Sequence, residues 1–333
     1  FDLLLHSPGN ALGRRLVAQA ARRRVLRETR GHYPAPLRAL EVALRGCGMP
    51  LERALELEAR AVGALLVSPV CKNLLDVFRL TERAKKSRPP AEPRPVRRAA
   101  VVGAGVMGAG IAELFAFREI PVRVKDVDEA RVADGLRRAR RLLERAGRRW
   151  PPHVLERRLE MLAGAVTYDG FASADLVVEA VVERMDVKRA VFAELEARVR
   201  PDAVLATNTS ALSVSELQTG LRHPERVCGM HFFNPAHRMP LVEIVRGRQT
   251  DDVTLATAFA TAARLGKTPV VVADAPGFLV NRVLGAYLAE AGRCLQDGAP
   301  PERLDAALLA FGMPMGPLRL LDEIGRASCR ERV

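Results

Sequence analysis

Ala99-Ala-Val-Val102 runs into Gly103-Ala-Gly105-Val-Met-Gly108 and then into the apolar stretch Ala109–Phe117. A short apolar run, a glycine turn and a helical stretch in this order read as strand, phosphate loop and helix of a nucleotide-binding βαβ unit. Each glycine has a distinct steric role. Gly103 permits the tight turn, Gly105 lets backbone approach a pyrophosphate, and Gly108 lets helix and strand pack closely. The helix that begins there turns its unpaired N–H groups and positive dipole end toward the turn, where a phosphate is the natural occupant.

Glycines at this spacing also occur in turns that bind nothing, so the flanking chain has to decide. A second strand, Pro121–Val127, carries Asp126, about twenty residues past the loop, where a carboxylate can take the ribose hydroxyls of an adenosine. The same charge repels a 2′-phosphate, which favours NAD over NADP, while the neighbouring cations Arg123 and Lys125 pull the other way. The fold class this predicts is α/β, a Rossmann-like parallel sheet covered by helices.

The 333 residues suffice for two domains and a large core. No apolar run reaches the ~18 residues of a membrane span, and the start at Phe1 lacks the order of a signal peptide. A cytoplasmic protein, or a piece of one, is expected. Cys47, Cys71, Cys228, Cys294 and Cys329 lie far apart, which points to neither a disulfide framework nor a metal site. The net charge of +13 raises nucleic acid as a partner. Yet the arginines are scattered (Arg22–Arg24, Arg137–Arg141, Arg148–Arg149) and Trp150 is the single tryptophan, whereas nucleic-acid binders concentrate charge and interleave aromatics. No nucleic-acid partner is expected; the positive field suits capture of an anionic ligand such as a coenzyme A ester or a dinucleotide.

Residues 1–86 read as helical, with apolar periodicity in Ala11–Leu26, Pro36–Leu44 and Leu51–Leu80 and a proline break at His32–Pro36. Residues 87–98, SRPPAEPRPVRR, read as a semi-extended linker. Beyond it strands and helices alternate, the mark of a parallel sheet covered on both faces. Strands are expected at Ala165–Thr167, Leu176–Ala180, Ala203–Thr207, Val227–Phe232, Leu241–Val245 and Val270–Ala273, with helices over Glu129–Arg149, Asp186–Val199 and Asp251–Leu265. Two further helices, Gly277–Gln296 and Pro301–Phe311, open a separate helical domain.

Polar residues gather at the carboxyl ends of these strands, where open parallel sheets bind ligands: Glu179 and Glu183, Asn208-Thr209-Ser210, and His231-Phe-Phe-Asn234-Pro235. Glu243 lies inside Leu241–Val245, flanked by four apolar residues, and a carboxylate there is costly to bury without a partner. Paired with His231 it would fix one imidazole tautomer and steady the protonated ring, which suits a general base. A lone strand-end histidine also serves packing, and a lone strand glutamate often faces solvent. His6, His32, His153, His223 and His237 have no such companion and read as surface or packing residues.

Taken together, Gly103–Gly110, Glu179-Ala-Val-Val-Glu183, Asn208-Thr209-Ser210, Met230-His-Phe-Phe-Asn-Pro235 and Pro276-Gly-Phe-Leu-Val-Asn-Arg282 resemble the successive motifs of the L-3-hydroxyacyl-CoA dehydrogenases. The run Met230–Gly247 and the stretch Thr29–Pro36 resemble most the multifunctional branch of that family, the α subunits of bacterial fatty-acid β-oxidation complexes, which join a crotonase-fold enoyl-CoA hydratase to the dehydrogenase. The resemblance implies NAD as cofactor and an acyl-CoA thioester as substrate. It implies His231 as the base, Glu243 as its orienting partner, and Ser210 and Asn281 on the substrate. It further implies Met107, Asp126, Val181, Val182, Glu183, Lys188 and Asn234 beside the glycines at the cofactor, and a thiolase β subunit as partner.

The expected domains are then 1–86, the helical end of a crotonase-like hydratase; 87–98, the linker; 99–275, the NAD-binding domain; and 276–323, the start of the C-terminal helical domain. Residues 324–333 (IGRASCRERV) resemble one reading frame of a sequencing adapter and are expected to be non-native. The hydratase glutamates of the crotonase family would lie upstream of Phe1, so enoyl-CoA hydration is not expected of this chain. Two other readings stay open on the residues alone: a non-catalytic dinucleotide-binding or scaffolding module, and a dehydrogenase of some other small hydroxy acid.

Overall fold

A computed structural model describes residues 11–330, without the side chains of Ala11, Leu12, Arg14 and 324–330. Its centre is an eight-stranded sheet in the order β3-β2-β1-β4-β5-β6-β7-β8. The strands are β1 (Ala99–Val102), β2 (Val122–Lys125), β3 (Leu162–Ala165), β4 (Leu176–Glu179), β5 (Val204–Thr207), β6 (Val227–Phe232), β7 (Leu241–Arg246) and β8 (Thr268–Ala273). The first six follow the doubly wound order of a dinucleotide-binding fold, with the switch point between β1 and β4. All pairings are parallel except β6 with β7. The segment joining those two is too short for the crossover a parallel pair requires, so the chain turns back on itself.

Alternate strand residues enter two cores, one on each face of the sheet. Val101, Val178 and Val204 pack on one side with Ile111, Phe115 and Leu255. Ala100, Val102, Val177 and Leu205 pack on the other with Phe171, Phe192 and Leu195. Strands buried on both faces account for the unbroken apolar runs in the sequence.

Thirteen helices occur among the described residues. Four precede the sheet: α1 (Ala11–Thr29), α2 (Pro34–Gly46), α3 (Leu51–Leu66) and α4 (Pro69–Lys86). Six belong to the alternating region: α5 (Val106–Phe117), α6 (Glu129–Ala146), α7 (Pro152–Leu159), α8 (Met185–Arg198), α9 (Val214–Leu217) and α10 (Asp252–Arg264). Three follow it: α11 (Val280–Gln296), α12 (Pro301–Phe311) and α13 (Pro317–Arg330). No single helix among the described residues is long and apolar enough to cross a membrane.

Packing divides the chain into two compact units, one of residues up to Glu82 with Ala291–Asp322, the other including Arg83–Glu290. Residues 276–290, expected with the helical domain, therefore pack with the sheet unit: Phe278 is buried in one of its cores. Nearly all buried apolar side chains belong to this sheet unit. In the other unit Arg30 Nη1 donates to the Met313 carbonyl at 2.9 Å, and Asp305 Oδ1 accepts from Leu318 N at 2.9 Å.

Several local expectations change. The helix over Leu51–Leu80 is two helices, broken at Val67–Ser68 before Pro69. Trp150-Pro151-Pro152 ends one helix but also starts α7, because proline in the first turn has no N–H to lose. The third strand is Leu162–Ala165, not Ala165–Thr167. The 87–98 segment is irregular but held: Arg97 N and Arg98 N both donate to Asp175 Oδ2, at 2.7 and 2.9 Å, and Val96 is buried. His6 and residues 331–333 of the expected adapter-like tail lie outside the described residues, as do the side chains of 324–330.

Candidate active site

The glycine turn sits at the switch point of the sheet, between the ends of β1 and β4. Gly103 has φ +102°, and a Cβ there would overlap the Ala180 carbonyl. A Cβ on Gly108 would overlap the Gly103 carbonyl, whereas one on Gly105 would meet nothing within 4 Å. Two glycines thus close the turn against protein, and the third leaves backbone bare toward open space. That space is a crevice of about 860 Å³ lined by Gly103, Gly105, Val106, Asp126, Val181 and Val182, among others. An elongated phosphate ester with apolar rings fits such walls, with its phosphates at the amino end of α5.

Asp126 lines the crevice at the end of β2, with Oδ2 accepting from Ala104 N and Oδ1 from Val127 N, both at 2.7 Å. The carboxylate is thereby tied to the glycine turn itself. Lys125 also lines the crevice, but its Nζ lies 4.7 Å from the Tyr168 ring centroid, a cation–π placement. Arg123 does not line it; its guanidinium lies against Gly170.

His231 and Glu243 are directly opposed across the antiparallel pair β6–β7, so their side chains project to the same face. His231 Nδ1 and Glu243 Oε2 are 2.7 Å apart. Glu243 is fully buried, and its other oxygen accepts from Leu279 N at 3.0 Å and Val280 N at 2.9 Å, at the start of α11. Burial pushes the Glu243 carboxyl up, but the hydrogen bond and charge of His231 and the two backbone donors outweigh it and hold the group below the usual carboxylate range. The imidazole is walled by Phe233 and Phe278, with ring centroids 4.5 and 5.8 Å away.

Behind Val181 lies a second polar cluster. Lys188 is buried and donates to Glu179 at 2.7 Å and reaches Glu183 at 3.3 Å. Glu183 Oε1 accepts from Thr209 Oγ1 at 2.5 Å, Ser210 N at 2.8 Å and Ala211 N at 3.3 Å. Burial raises the Glu183 carboxyl, and Lys188 with these donors more than reverses that. Asn281 Nδ2 donates to the Ser210 carbonyl at 3.2 Å.

The structure brings together Gly103, Gly105, Asp126, Val181 and Val182 around the crevice, and in a second group Ser210 with Asn281 and Glu183. It does not bring Met107 or Lys188 to the crevice wall. Met107 packs against the core under the sheet, and the amine of Lys188 is taken up by two carboxylates. Asn234 is exposed and lines a smaller neighbouring cavity of about 260 Å³ with Arg141, Arg145 and His237. Sequence reasoning missed Val106, Arg131, Asp134 and Arg138 on the crevice wall, the last three of which recur at helical spacing on α6. His223 does have a carboxylate companion, Glu225 at 3.2 Å, but both are exposed.

Comparison with known proteins places this geometry. Residues 98–275 match the NAD-binding domain of 3-hydroxyacyl-CoA dehydrogenase, and residues 277–331 match the C-terminal domain of the same enzymes. The fatty acid oxidation complex subunit alpha of Vibrio campbellii is 39% identical over 328 residues, 95% of this chain and 46% of that protein. The chain thus spans about half the length of the curated relatives it matches. Among solved structures, FadB2 of M. tuberculosis is 40% identical with a TM-score of 0.66, covering 69% of this chain and 83% of that one. The (S)-3-hydroxybutyryl-CoA dehydrogenase PaaH1 from Ralstonia eutropha is 36% identical with the same coverage and TM-score. A crevice at the switch point, a buried acid on the penultimate residue of β6, His231, and matches across both domains lead to one conclusion: the chain belongs to the 3-hydroxyacyl-CoA dehydrogenase family.

Proposed function

We propose that this chain oxidises (3S)-3-hydroxyacyl-CoA thioesters to 3-oxoacyl-CoA with NAD, as a step of fatty-acid β-oxidation, with His231 as the general base. The observation that carries the reading is the 2.7 Å contact of His231 Nδ1 with fully buried Glu243. With Nδ1–H donated to the carboxylate, the lone pair of the neutral ring resides on Nε2. Nε2 takes the proton of the substrate 3-hydroxyl as the C3–H bond breaks, and the resulting imidazolium is paired with Glu243. NAD, when bound, supplies the hydride acceptor. Gly103, Gly105, Gly108, Asp126, Val181 and Val182 would hold it; Glu183, Lys188, Asn234 and Met107 would act at or behind that site. Ser210 and Asn281 would orient the thioester side of the substrate.

The pair separates this reading from a dinucleotide-binding scaffold, since binding alone needs no buried acid on a histidine. Work beside a thiolase β subunit, in the cytoplasm, is part of the proposal; the name of the Vibrio relative, a subunit of a fatty acid oxidation complex, supports an assembly. Residues up to 86 would be the tail of a hydratase domain; residues 324–331, expected to be non-native, fall within the match to the C-terminal domain.

The test is NADH formation from NAD and 3-hydroxybutyryl-CoA. The expected result is saturable, thioester-dependent turnover. Equal turnover of free 3-hydroxybutyrate would overturn the substrate class, and NADH binding without thioester turnover would reduce the chain to a binding module.

A further inference from the structure

Strand β6 outruns its neighbour β5. The last register pair between them is Thr207 with Gly229, yet β6 continues to Phe232 and stays paired with β7 as far as Phe232 and Val242. Met230, His231 and Phe232 therefore keep a strand partner on the β7 side and lose it on the β5 side, where a buried N–H needs some other acceptor. Phe232 is buried, and its amide donates to the side chain of Asn208, the first residue past β5, whose Oδ1 lies at 2.9 Å. The backbone of Asn208 is still tied to the sheet, its N–H donated to the Glu179 carbonyl at 2.8 Å. A carboxamide thus takes the place of a strand carbonyl where the main chain leaves β5 for the Ser210 turn.

The bond falls at a sensitive place. His231 precedes Phe232, and Phe233, which follows it, sets its ring 4.5 Å from the imidazole, so the ring and its wall hang from the backbone that Asn208 holds. On the other side the strand is fixed by the register of His231 with Glu243 and by their 2.7 Å contact. A strand end held on one side alone can pivot, and a displacement of about 1 Å in a reacting group costs on the order of 10²-fold in rate. We propose that Asn208 is a positioning residue for His231: its carboxamide closes the β5 side of β6 and, opposite Glu243, keeps the imidazole in line. It acts through the amide of Phe232 and not on substrate or cofactor. This rests on the proposed function in one respect, that His231 is the base.

The experiment compares the wild-type chain with Asn208→Ala, which removes the acceptor, and Asn208→Asp, which keeps one in the same place. Three quantities are read: amide hydrogen exchange at Phe232, the downfield proton resonance of His231 Nδ1–H hydrogen-bonded to Glu243, and kcat and KM with 3-hydroxybutyryl-CoA beside NADH affinity. Asn208→Ala is expected to speed exchange at Phe232 by about tenfold, the scale of one lost hydrogen bond. It is also expected to broaden or abolish the Nδ1 proton signal and to lower kcat by about tenfold, with KM and NADH affinity within about twofold of wild type. Asn208→Asp is expected to restore the protection, the signal and most of kcat. Asn208→Ser, whose hydroxyl is too short to reach Phe232 N, takes the place of the alanine variant should that one not fold. A wild-type Phe232 amide that exchanges as an open one overturns the proposal whatever the variants do. So does an Nδ1 signal unchanged in Asn208→Ala, or a kcat loss that Asn208→Asp fails to restore. A wild-type chain that turns over no thioester, yet whose Nδ1 signal depends on Asn208 in this way, overturns the proposed function and leaves the hold of Asn208 on the imidazole standing.

Discussion

His231 and Glu243 are register partners on β6 and β7, and the pairing that aligns their backbones also brings Nδ1 and Oε2 to 2.7 Å. The hairpin fixes the contact, so neither side chain has to search for the other. Because Glu243 also receives Leu279 N and Val280 N, the group that orients the imidazole equally anchors the start of α11, where Asn281 lies. One buried carboxylate thus holds both the His231 imidazole and the start of α11.

Removing the proposed base tests this arrangement first. His231→Gln is expected to lower turnover by at least ~10²-fold with nearly unchanged NADH affinity, as for loss of a general base. Glu243→Gln keeps an acceptor for the two backbone amides but loses the charge that steadies the imidazolium, so turnover is expected to fall with little change in Tm. Glu243→Ala leaves both amides and the ring unpaired and is expected to cost about 2 kcal/mol of stability besides. Steady-state kinetics, NADH fluorescence titration and thermal melts separate these effects.

Two of the loop glycines, Gly108 and Gly105, are expected to behave differently from one another. Gly108→Ala drives a methyl into the Gly103 carbonyl and is expected to lower stability by more than ~3 kcal/mol or to prevent folding. Gly105→Ala meets open space within the fold, so its Tm is expected to stay unchanged while NADH affinity drops about tenfold, because the methyl occupies the face a pyrophosphate approaches. Equal Tm losses for the two would contradict the assignment.

The proposed ribose site predicts that cofactor choice turns on Asp126 and on where Lys125 is kept. Asp126→Asn retains an acceptor for Ala104 N and removes the charge that repels a 2′-phosphate. The ratio of kcat/KM for NADP over NAD is expected to rise about tenfold. Tyr168→Leu releases Lys125 from the ring and is expected to add a few-fold to that ratio, on the scale of an exposed cation–π contact. An unchanged ratio in both variants would count against the ribose site.

Glu113 sets a pH dependence of stability. It is buried on α5, Oε2 has no hydrogen-bond partner among the described residues, and burial raises its pKa from 4.5 to about 7 against a smaller opposing pull from Lys267. Below the ordinary value both folded and unfolded forms are protonated and its contribution is fully present. As pH rises toward 7 the unfolded chain ionises while the folded one resists, and on the order of 3 kcal/mol is lost. Glu113→Gln is expected to flatten the fall in Tm between pH 5 and 8, leaving the variant the more stable at the upper end. Parallel Tm curves for variant and wild type would remove Glu113 from the account.

Much of the molecule was decided by local sequence. Gly103–Gly108 after an apolar strand marked a tight turn, because Gly103 and Gly108 have no room for a Cβ, and the place of Asp126 followed from the length of one βα unit. The partnership of His231 and Glu243 was legible because a carboxylate among four apolar neighbours has to find a donor. Other features depend on distant segments and only the tertiary structure supplied them. Lys188 reads in sequence as a cation on a helix beside a cofactor site, yet its amine turns inward because β4 places Glu179 beneath it. The third strand fell outside its predicted position because Ala163 and Gly164 carry little strand signal; Gly164 is small because Val132 and Leu136 of α6 lie over it. The 87–98 stretch has the composition of a free linker and is held by Asp175, far along the chain. Local sequence limits what each residue can do through its own backbone freedom and desolvation cost, whereas which partner meets it is set by strand register and helix packing, and these are properties of the whole sheet.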